Sequence, residues 1–301
     1  MRRFSVVRRI LIPLVAAVAA VTLPACARDG LLGPPGGDDG GANLDAPASG
    51  PDATGADATV LPDLATPIPT ADLGMPLCGA IYTRLAGQHA EAPFVSTLDP
   101  PEGVTVEAWV YPTEAPRAEA VLVAHWNGND TSGYWLGLTD GGLPIFTIGN
   151  GSFHDGMPHT QFVLGRNPLP VSFWTHLAGV VDTATGQIAL FVNGSQVSVQ
   201  PLQKPIAASP TAGLRVGDQP ADPPALTPRT FFGYVTEVRV SHGARYVQDF
   251  PPAKRFADDP YTVALYHYAE IGKAIAVDSS HVHDDARLVG GAAMVAPPGC
   301  P

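Results

Sequence analysis

The chain has 301 residues, including 32 Gly and 32 Pro, and its 17 Lys and Arg against 28 Asp and Glu give a net charge of −11. Proline at this frequency excludes a helical bundle and favours many turns or an extended linker. The acidic balance argues against a nucleic-acid partner, because phosphate binding needs a basic face.

Residues 1–25 predict a lipoprotein signal peptide. Four Arg lie among the first nine residues, and an almost unbroken apolar run follows at 10–23, too short to span a bilayer comfortably. Residues 23–26, LPAC, resemble the bacterial lipobox, which implies that Cys26 carries lipid. Ala27, where an Asp would favour retention in the inner membrane, points to the outer membrane or cell surface of a Gram-negative bacterium. An ordinary cleaved signal with an incidental Cys is the alternative.

Residues 26–77 predict a disordered spacer between this anchor and a folded domain. The segment 27–77 has no aromatic residue and holds eight Pro, nine Gly, nine Ala and eight Asp, with Arg28 as its only basic residue. Such a composition cannot bury enough apolar surface to offset the entropy of ordering the chain. Proline and mutually repelling Asp should keep the spacer extended.

Residues 78–301 are expected to form the folded domain, because all the Trp and Tyr and nearly all the Phe lie there. The chain has only three Cys. If Cys26 takes lipid, Cys78 and Cys300 remain, and they bracket this region. We expect them to form a disulfide in an oxidising compartment, with two free thiols as the alternative.

Short apolar runs separated by turn residues predict an all-β domain. In residues 187–193, Ile188 and Leu190 alternate with Ala189 and Phe191, so both sets are apolar and the strand should be covered on both faces. No stretch keeps a helical period for three turns, which favours an antiparallel sandwich or barrel. The predicted strands are 104–111, 120–125, 134–139, 144–148, 161–164, 173–181, 187–193, 195–199, 214–217, 234–241, 262–268, 286–289 and 293–295.

Six segments in this order carry a family resemblance: TVEAWVYP, FWTHLAGVVD, IALFVNG, LRVG, FFGYVTEVRVS and VALYHY. Together they resemble the laminin G-like branch of the concanavalin A-like lectin/glucanase superfamily, over about residues 78–295. The resemblance implies a jelly-roll sandwich of two antiparallel sheets. Thr236 departs from the Asp of many relatives, and we expect the neighbouring Glu237 and Arg239 to form an ion pair at a strand edge.

The resemblance also bears on chemistry. Glucanases of the superfamily carry a Glu-x-Asp-x-x-Glu motif, which this chain lacks, so we expect no enzyme and disfavour a glycoside hydrolase. Laminin G-like relatives often bind calcium at a sheet rim, which makes calcium the candidate cofactor, although no residue can be carried over to that site. His281, His283, Asp284 and Asp285 form the best metal-like group, with a solvated loop as the alternative.

One loop predicts a sugar-binding site. Trp126 and Tyr134 flank Asn127, Asn129 and Asp130, so aromatic faces lie beside hydrogen-bonding groups, as sugar rings require. The same aromatic residues could instead belong to the core. Two functions follow: recognition of a polysaccharide or glycoprotein, or a structural or protein-interaction role at the cell surface.

Replacing Cys26 by Ser should release the protein from the membrane fraction, because the residue that accepts the lipid is removed. The measurement is the distribution of the protein between membrane and soluble fractions, with acyl labelling of the unmodified chain. Membrane retention of the variant together with an unlabelled parent would contradict the lipobox prediction.

Overall fold

The computed structural model describes residues 78–127, 131–154, 157–219 and 229–301, so the predicted signal peptide and spacer lie outside the described residues. In these ranges no helix is long and apolar enough to cross a membrane. One short 3-10 helix occupies Ser96–Leu98. The strands are β1 Ala80–Thr83, β2 His89–Ala92, β3 Gly103–Pro112, β4 Ala120–Asn127, β5 Ser132–Leu138, β6 Pro144–His154, β7 Met157–Leu164, β8 Thr175–Asp182, β9 Gln187–Val192, β10 Ser195–Pro201, β11 Leu214–Val216, β12 Gly233–His242, β13 Thr262–Tyr266, β14 Ile275–Ala276, β15 Ala286–Val289 and β16 Ala293–Val295.

The strands form two eight-stranded antiparallel sheets. The first sheet has the order β10-β9-β8-β3-β12-β1-β16, with β13 also paired to β12, and the second has the order β14-β15-β2-β11-β4-β5-β6-β7. In both sheets, consecutive strands such as β4 to β7 lie beside strands from distant parts of the chain, such as β12 beside β1, as in a jelly roll. The predicted all-β sandwich of two antiparallel sheets is confirmed.

The core lies between the two sheets. Along β3, Val104, Val106, Ala108 and Val110 point inward and are fully buried. Period-two alternation places all four on one face, and burying each Val is worth about 2 kcal/mol. The sheets approach closely here, because a Cβ added at Gly179 would lie 2.2 Å from the ring of Phe146.

Two tight turns connect β8 to β9 and β9 to β10, where the sequence predicted two hairpins. The Asp182 carboxylate accepts a hydrogen bond from the Thr185 amide, and Gly186 follows at φ +65°. Asn193 and Gly194 lead into β10 at φ +50° and +78°, as a two-residue hairpin turn requires. Strand β8 begins at Thr175, whereas the sequence predicted a start at residue 173.

Strand β9 is covered on both faces, as predicted. Ile188 and Leu190 pack into the core, while Ala189 and Phe191 belong to a separate apolar cluster on the outer face of the first sheet. Residues 243–260 contribute to this outer cluster through Tyr246 and Phe250. We call residues 243–260 the strap.

The sequence did not predict β1, β2 or β14, and it predicted β6 and β7 too short. Strand β2 reads HAEA and has no β-branched residue, so its conformation comes from pairing with β11 and β15 on either side. Such strands are set by tertiary contacts that local preference does not report.

A disulfide joins Cys78 and Cys300, with a Cα–Cα distance of 5.9 Å, which confirms the predicted pairing. The bond ties the start of the domain to its C-terminal tail across a sequence separation of 222 residues. Closing so long a loop restricts the unfolded chain strongly.

Replacing both Cys78 and Cys300 by Ser should lower the free energy of unfolding by up to about 5 kcal/mol, since the cross-link no longer restricts the unfolded state. Denaturant unfolding monitored by Trp fluorescence measures the change. Cys26→Ser is the matched control, because it makes the same substitution at the cysteine that lies outside this bridge. An unchanged unfolding midpoint in the double variant would contradict a stabilising role for the disulfide.

Candidate functional site

The loop predicted to bind sugar does not present its two rings to solvent. Trp126 is only 4 % exposed and packs with Val121, Trp135 and Ile145. Tyr134 is buried in the core and donates its hydroxyl to a backbone carbonyl, and burial raises the pKa of this phenol. Neither ring therefore offers a stacking face in this arrangement.

The polar residues of that loop are only partly described. Asn127 donates a hydrogen bond to Thr211 at 3.1 Å, while Asn129 and Asp130 lie outside the described residues. A ligand-binding role for these three residues stays a prediction.

The metal-like group is spread through its loop. His281 contacts Asp258 at 3.6 Å, and the Asp285 carboxylate accepts the backbone N–H of Asp278. Burial, with Asp278 and Asp285 nearby, raises the pKa of Asp284. Within the described ranges no group of three or more His, Cys, Asp or Glu could hold a metal ion.

A buried ionic network lies under the strap. Glu107, on the outer face of β3, is fully buried and contacts Arg239 at 2.7 Å, His176 at 3.1 Å and the Tyr246 hydroxyl at 2.9 Å. Burial alone would raise the pKa of Glu107, but the hydrogen bond from His176 and the charge of Arg239 outweigh it and hold this pKa below its ordinary value. The network joins β3, β8, β12 and the strap.

The expected ion pair between Glu237 and Arg239 is wrong. A bulge shifts the register of β12 against β3 between Thr236 and Arg239, and Glu237 takes φ +48°. Glu237 therefore bonds His267 at 2.9 Å, while Arg239 reaches Glu107. The irregular backbone sends the two charged side chains to different partners.

The strap covers one part of the outer face of the first sheet. Tyr246 and Phe250 stack at 3.4 Å between ring centroids, and Arg239 lies 4.6 Å from the ring centre of Phe256. Trp109 donates its indole N–H to the Ala253 carbonyl at 2.9 Å. The strap is thus fixed by stacking, cation–π and hydrogen-bonding contacts together.

A row of four aromatic residues crosses the same outer face beyond the strap. Tyr82, Tyr234 and Tyr111 are cross-strand neighbours on β1, β12 and β3, and Trp174 precedes β8. Successive ring centroids are 4.5, 5.8 and 5.5 Å apart, with interplanar angles of 15°, 77° and 60°. All four side chains are partly exposed. We call these four residues the aromatic row.

The rim beside the aromatic row is also apolar and exposed. Phe173 is 65 % exposed and Val171 is 38 % exposed. Ser172 between them takes φ +64°, and its amide donates to the Pro112 carbonyl at the end of β3. Trp174 donates its indole N–H to Gly299 at 3.1 Å, next to the disulfide. The tail therefore positions one end of the row.

Sequence reasoning did not identify this row. The alternation in residues 104–111 places Glu107, Trp109 and Tyr111 on one face, but it gives no sign that Tyr82 and Tyr234 lie beside them. The pairing of β1 with β12, and of β12 with β3, brings the three Tyr together.

Two antiparallel sheets with a strapped outer face define a jelly-roll sandwich of the lectin-like class. Residues 85–249 match a laminin G family model described as concanavalin A-like lectin/glucanases superfamily. The chain belongs to this superfamily.

Two solved structures illustrate the likeness. A candidate carbohydrate-binding protein from Bacteroides ovatus is 15 % identical, with a TM-score of 0.57, over 74 % of this chain and 61 % of that one. Domains LG4-5 of the mouse laminin alpha1 chain are 12 % identical, with a TM-score of 0.44, over 57 % of this chain and 45 % of that one. The first likeness shows the shared fold.

One curated relative is an enzyme subunit. The N,N-dimethylformamidase beta subunit of an Alcaligenes species is 28 % identical over 159 residues, which is 46 % of this chain and 20 % of that protein. The chain thus spans only about a fifth of this relative's length.

Replacing Glu107 by Gln should lower the free energy of unfolding at neutral pH by about 3 kcal/mol, because Arg239 loses its buried counter-charge. Glu107 has a folded-state pKa below its ordinary value of 4.5, so its contribution is present above that value and is lost as the pH falls through the folded-state pKa. The variant should therefore lose less stability on acidification than the parent. Denaturant unfolding at neutral and acidic pH measures both effects.

The exposed Glu114, changed to Gln, is the matched control and should leave stability nearly unchanged. Equal losses of stability for the Glu107 and Glu114 variants would contradict the role given to the buried network.

Proposed function

We propose that this chain is a lipid-anchored surface protein whose β-sandwich binds the sugar chains of a polysaccharide or glycoprotein without cleaving them. The observation that carries this proposal is the aromatic row on the outer face of the first sheet. Surface aromatic residues in a continuous line are unusual on a face that the fold could have made polar.

The aromatic row has the two properties that sugar recognition needs. Its rings supply apolar surface for the C–H faces of sugars, and three phenol hydroxyls supply donors and acceptors for sugar hydroxyls. Partial burial, together with the neighbouring phenols of Tyr82 and Tyr111, raises the pKa of Tyr234. The row extends from β1 across β12 and β3 to the start of β8, or roughly 14 Å at the usual strand spacing, which is longer than one sugar ring.

The family relationship supports the same proposal. The Bacteroides ovatus protein of the same fold is described as a candidate carbohydrate-binding protein. Fold alone does not assign function, so the aromatic row is the stronger support.

Two observations favour binding over cleavage. The chain lacks the Glu-x-Asp-x-x-Glu motif of the glucanases, whose retaining chemistry needs two carboxyl groups about 5 Å apart. The strand carboxylates Glu107 and Glu237 are both buried and are engaged by Arg239 and His267. Neither is free to act on a substrate.

Display at the cell surface rests on the N-terminal sequence. A lipid on Cys26 would anchor the chain, and the spacer 26–77 would hold the binding domain away from the membrane. The Cys26 experiment tests this part of the proposal separately from sugar binding.

Replacing Tyr111 and Trp174 by Ala, singly and together, should weaken polysaccharide binding at least tenfold for the pair, because both stacking surface and a hydroxyl are lost. A glycan array with the full chain identifies the bound polymer, and titration of each variant with that polymer measures the loss. Both residues are partly exposed, so melting temperatures should fall by only a few degrees.

Phe162→Ala is the matched control, since Phe162 is 47 % exposed on β7 of the other sheet. Equal binding by the control and by the double variant would exclude the aromatic row. If the chain binds a partner protein and no glycan, that result would support the protein-interaction role instead. Release of reducing ends from a bound polysaccharide would contradict the proposal that the domain does not cleave its ligand.

A further inference from the structure

A second open region lies on the first sheet, at the opposite end of β3 from the aromatic row. It is a pocket of about 730 Å³, within the usual range for small-molecule sites. The lining residues used below are Glu102, His242, Gly243, Arg245, Tyr246 and Tyr261, and we call it the polar pocket.

Backbone contacts hold the walls of the polar pocket in place. The Gly243 amide donates to the Gly103 carbonyl at 2.9 Å, and the His242 amide donates to the Tyr261 carbonyl at 2.8 Å. The Arg245 amide donates to the Thr105 hydroxyl at 3.0 Å. The shape therefore depends on the ends of β3 and β12 and on the strap residues bonded to them.

The Arg245 guanidinium in the pocket wall is already neutralised. Arg245 donates to both oxygens of Asp259 at 2.7 and 2.6 Å and to the Thr262 hydroxyl at 2.8 Å. These hydrogen bonds from Arg245 hold the pKa of Asp259 far below its ordinary value. Arg245 is thus committed to Asp259 and offers little to an anionic ligand.

Glu102 and Tyr261 supply the groups that a ligand could use. Within the described residues the Glu102 carboxylate makes no hydrogen bond or ion pair. Tyr261 is 65 % exposed, and its amide is fixed by Asp259. His242 is anchored by its Nε2 to the Thr97 carbonyl at 2.9 Å.

We infer that the polar pocket is a second sugar-binding site, selective for an uncharged sugar residue. A carboxylate accepts hydrogen bonds from neighbouring sugar hydroxyls, and an exposed phenol ring supplies a stacking face. An acidic sugar would meet the Glu102 charge with no unpaired Arg or Lys among the described lining residues to compensate it. The inference rests on the proposed function, because it assigns a second site for the same class of ligand.

Two sites on the first sheet would together bind one polymer more tightly than either site alone. His242 pairs with Val104, and Tyr234 pairs with Tyr111, so the sites lie seven residues apart along β3, or about 24 Å. A polymer that reaches both gains affinity from the effective concentration of its second segment, whereas a monosaccharide occupies one site at a time.

An NMR titration of the full chain reports the two sites separately. The Ala244 amide reports the polar pocket, and the indole N–H of Trp174 reports the aromatic row. The probes are neutral hexasaccharides of β-1,4-glucan, β-1,3-glucan, β-1,4-xylan and β-1,4-mannan, with a galacturonate hexamer as the acidic probe. We expect at least one neutral probe to shift the Ala244 amide and the acidic probe to leave it unchanged.

Gly243→Asn tests the pocket directly. Gly243 has φ +68° and no heavy atom within 4 Å of an added Cβ, so Asn can adopt this conformation and place its side chain in the pocket. Gly272→Asn is the matched control, because Gly272 has φ +76° and equally open space elsewhere. We expect Gly243→Asn to lose the Ala244 shift, to keep the Trp174 shift and to bind the parent polymer at least tenfold more weakly. Tyr261→Ala should weaken binding in the same direction.

An Ala244 amide that no neutral probe shifts overturns the inference, and so does equal binding by the two Asn variants. An equal Ala244 shift by the acidic probe overturns the assignment to uncharged sugars. An Ala244 shift without any Trp174 shift would retain the polar pocket and reject the aromatic row, so the two proposals fail separately.

Discussion

The first sheet has to be covered on both of its faces, and most of the molecule follows from that constraint. Strand β9 carries buried apolar side chains on both sides, and β8 beside it does the same with Leu177 inward and Val180 outward. The second sheet covers the inner face. The outer face needs another layer, because exposed apolar surface of this extent would otherwise be unfavourable.

The strap supplies this layer, and Glu107 decides how it is attached. A buried carboxylate is costly unless charged and hydrogen-bonding partners surround it. Arg239, His176 and Tyr246 meet this requirement, and one of them comes from the strap itself. The network therefore ties the position of the strap to the position of β3 and β12.

A strap of about eighteen residues covers only the middle of the face, which leaves both ends of β3 open. The aromatic row occupies one end and the polar pocket occupies the other. The strap forms one wall of the polar pocket through Arg245 and Tyr246. At the far end, the tail held by Cys300 contacts Trp174, so the disulfide shapes the surface as well as limiting the unfolded chain. The open surfaces exist because the cover is incomplete.

The sequence by itself determined what depends on neighbours along the chain. Alternation of apolar residues marked most strands, Asn193 and Gly194 marked a hairpin, and the doubly apolar pattern of residues 187–193 marked a strand covered on both faces. The ordered segments further indicated the superfamily. Each of these signals is carried within about ten residues, where backbone geometry limits the choices.

Only the tertiary structure decided which residues meet across the sheets. Tyr82 and Tyr234 are neighbours because β1 pairs with β12, and no local pattern contains that pairing. A bulge in β12 directs the Arg239 side chain to Glu107, so Arg239 does not pair with Glu237. Trp126 lies at a strand end, where the local sequence is compatible with either a buried or an exposed ring. Packing against Trp135 and Ile145 buries the Trp126 ring. Strand register and packing partners are long-range properties, so the surface they leave open becomes visible only in the folded chain.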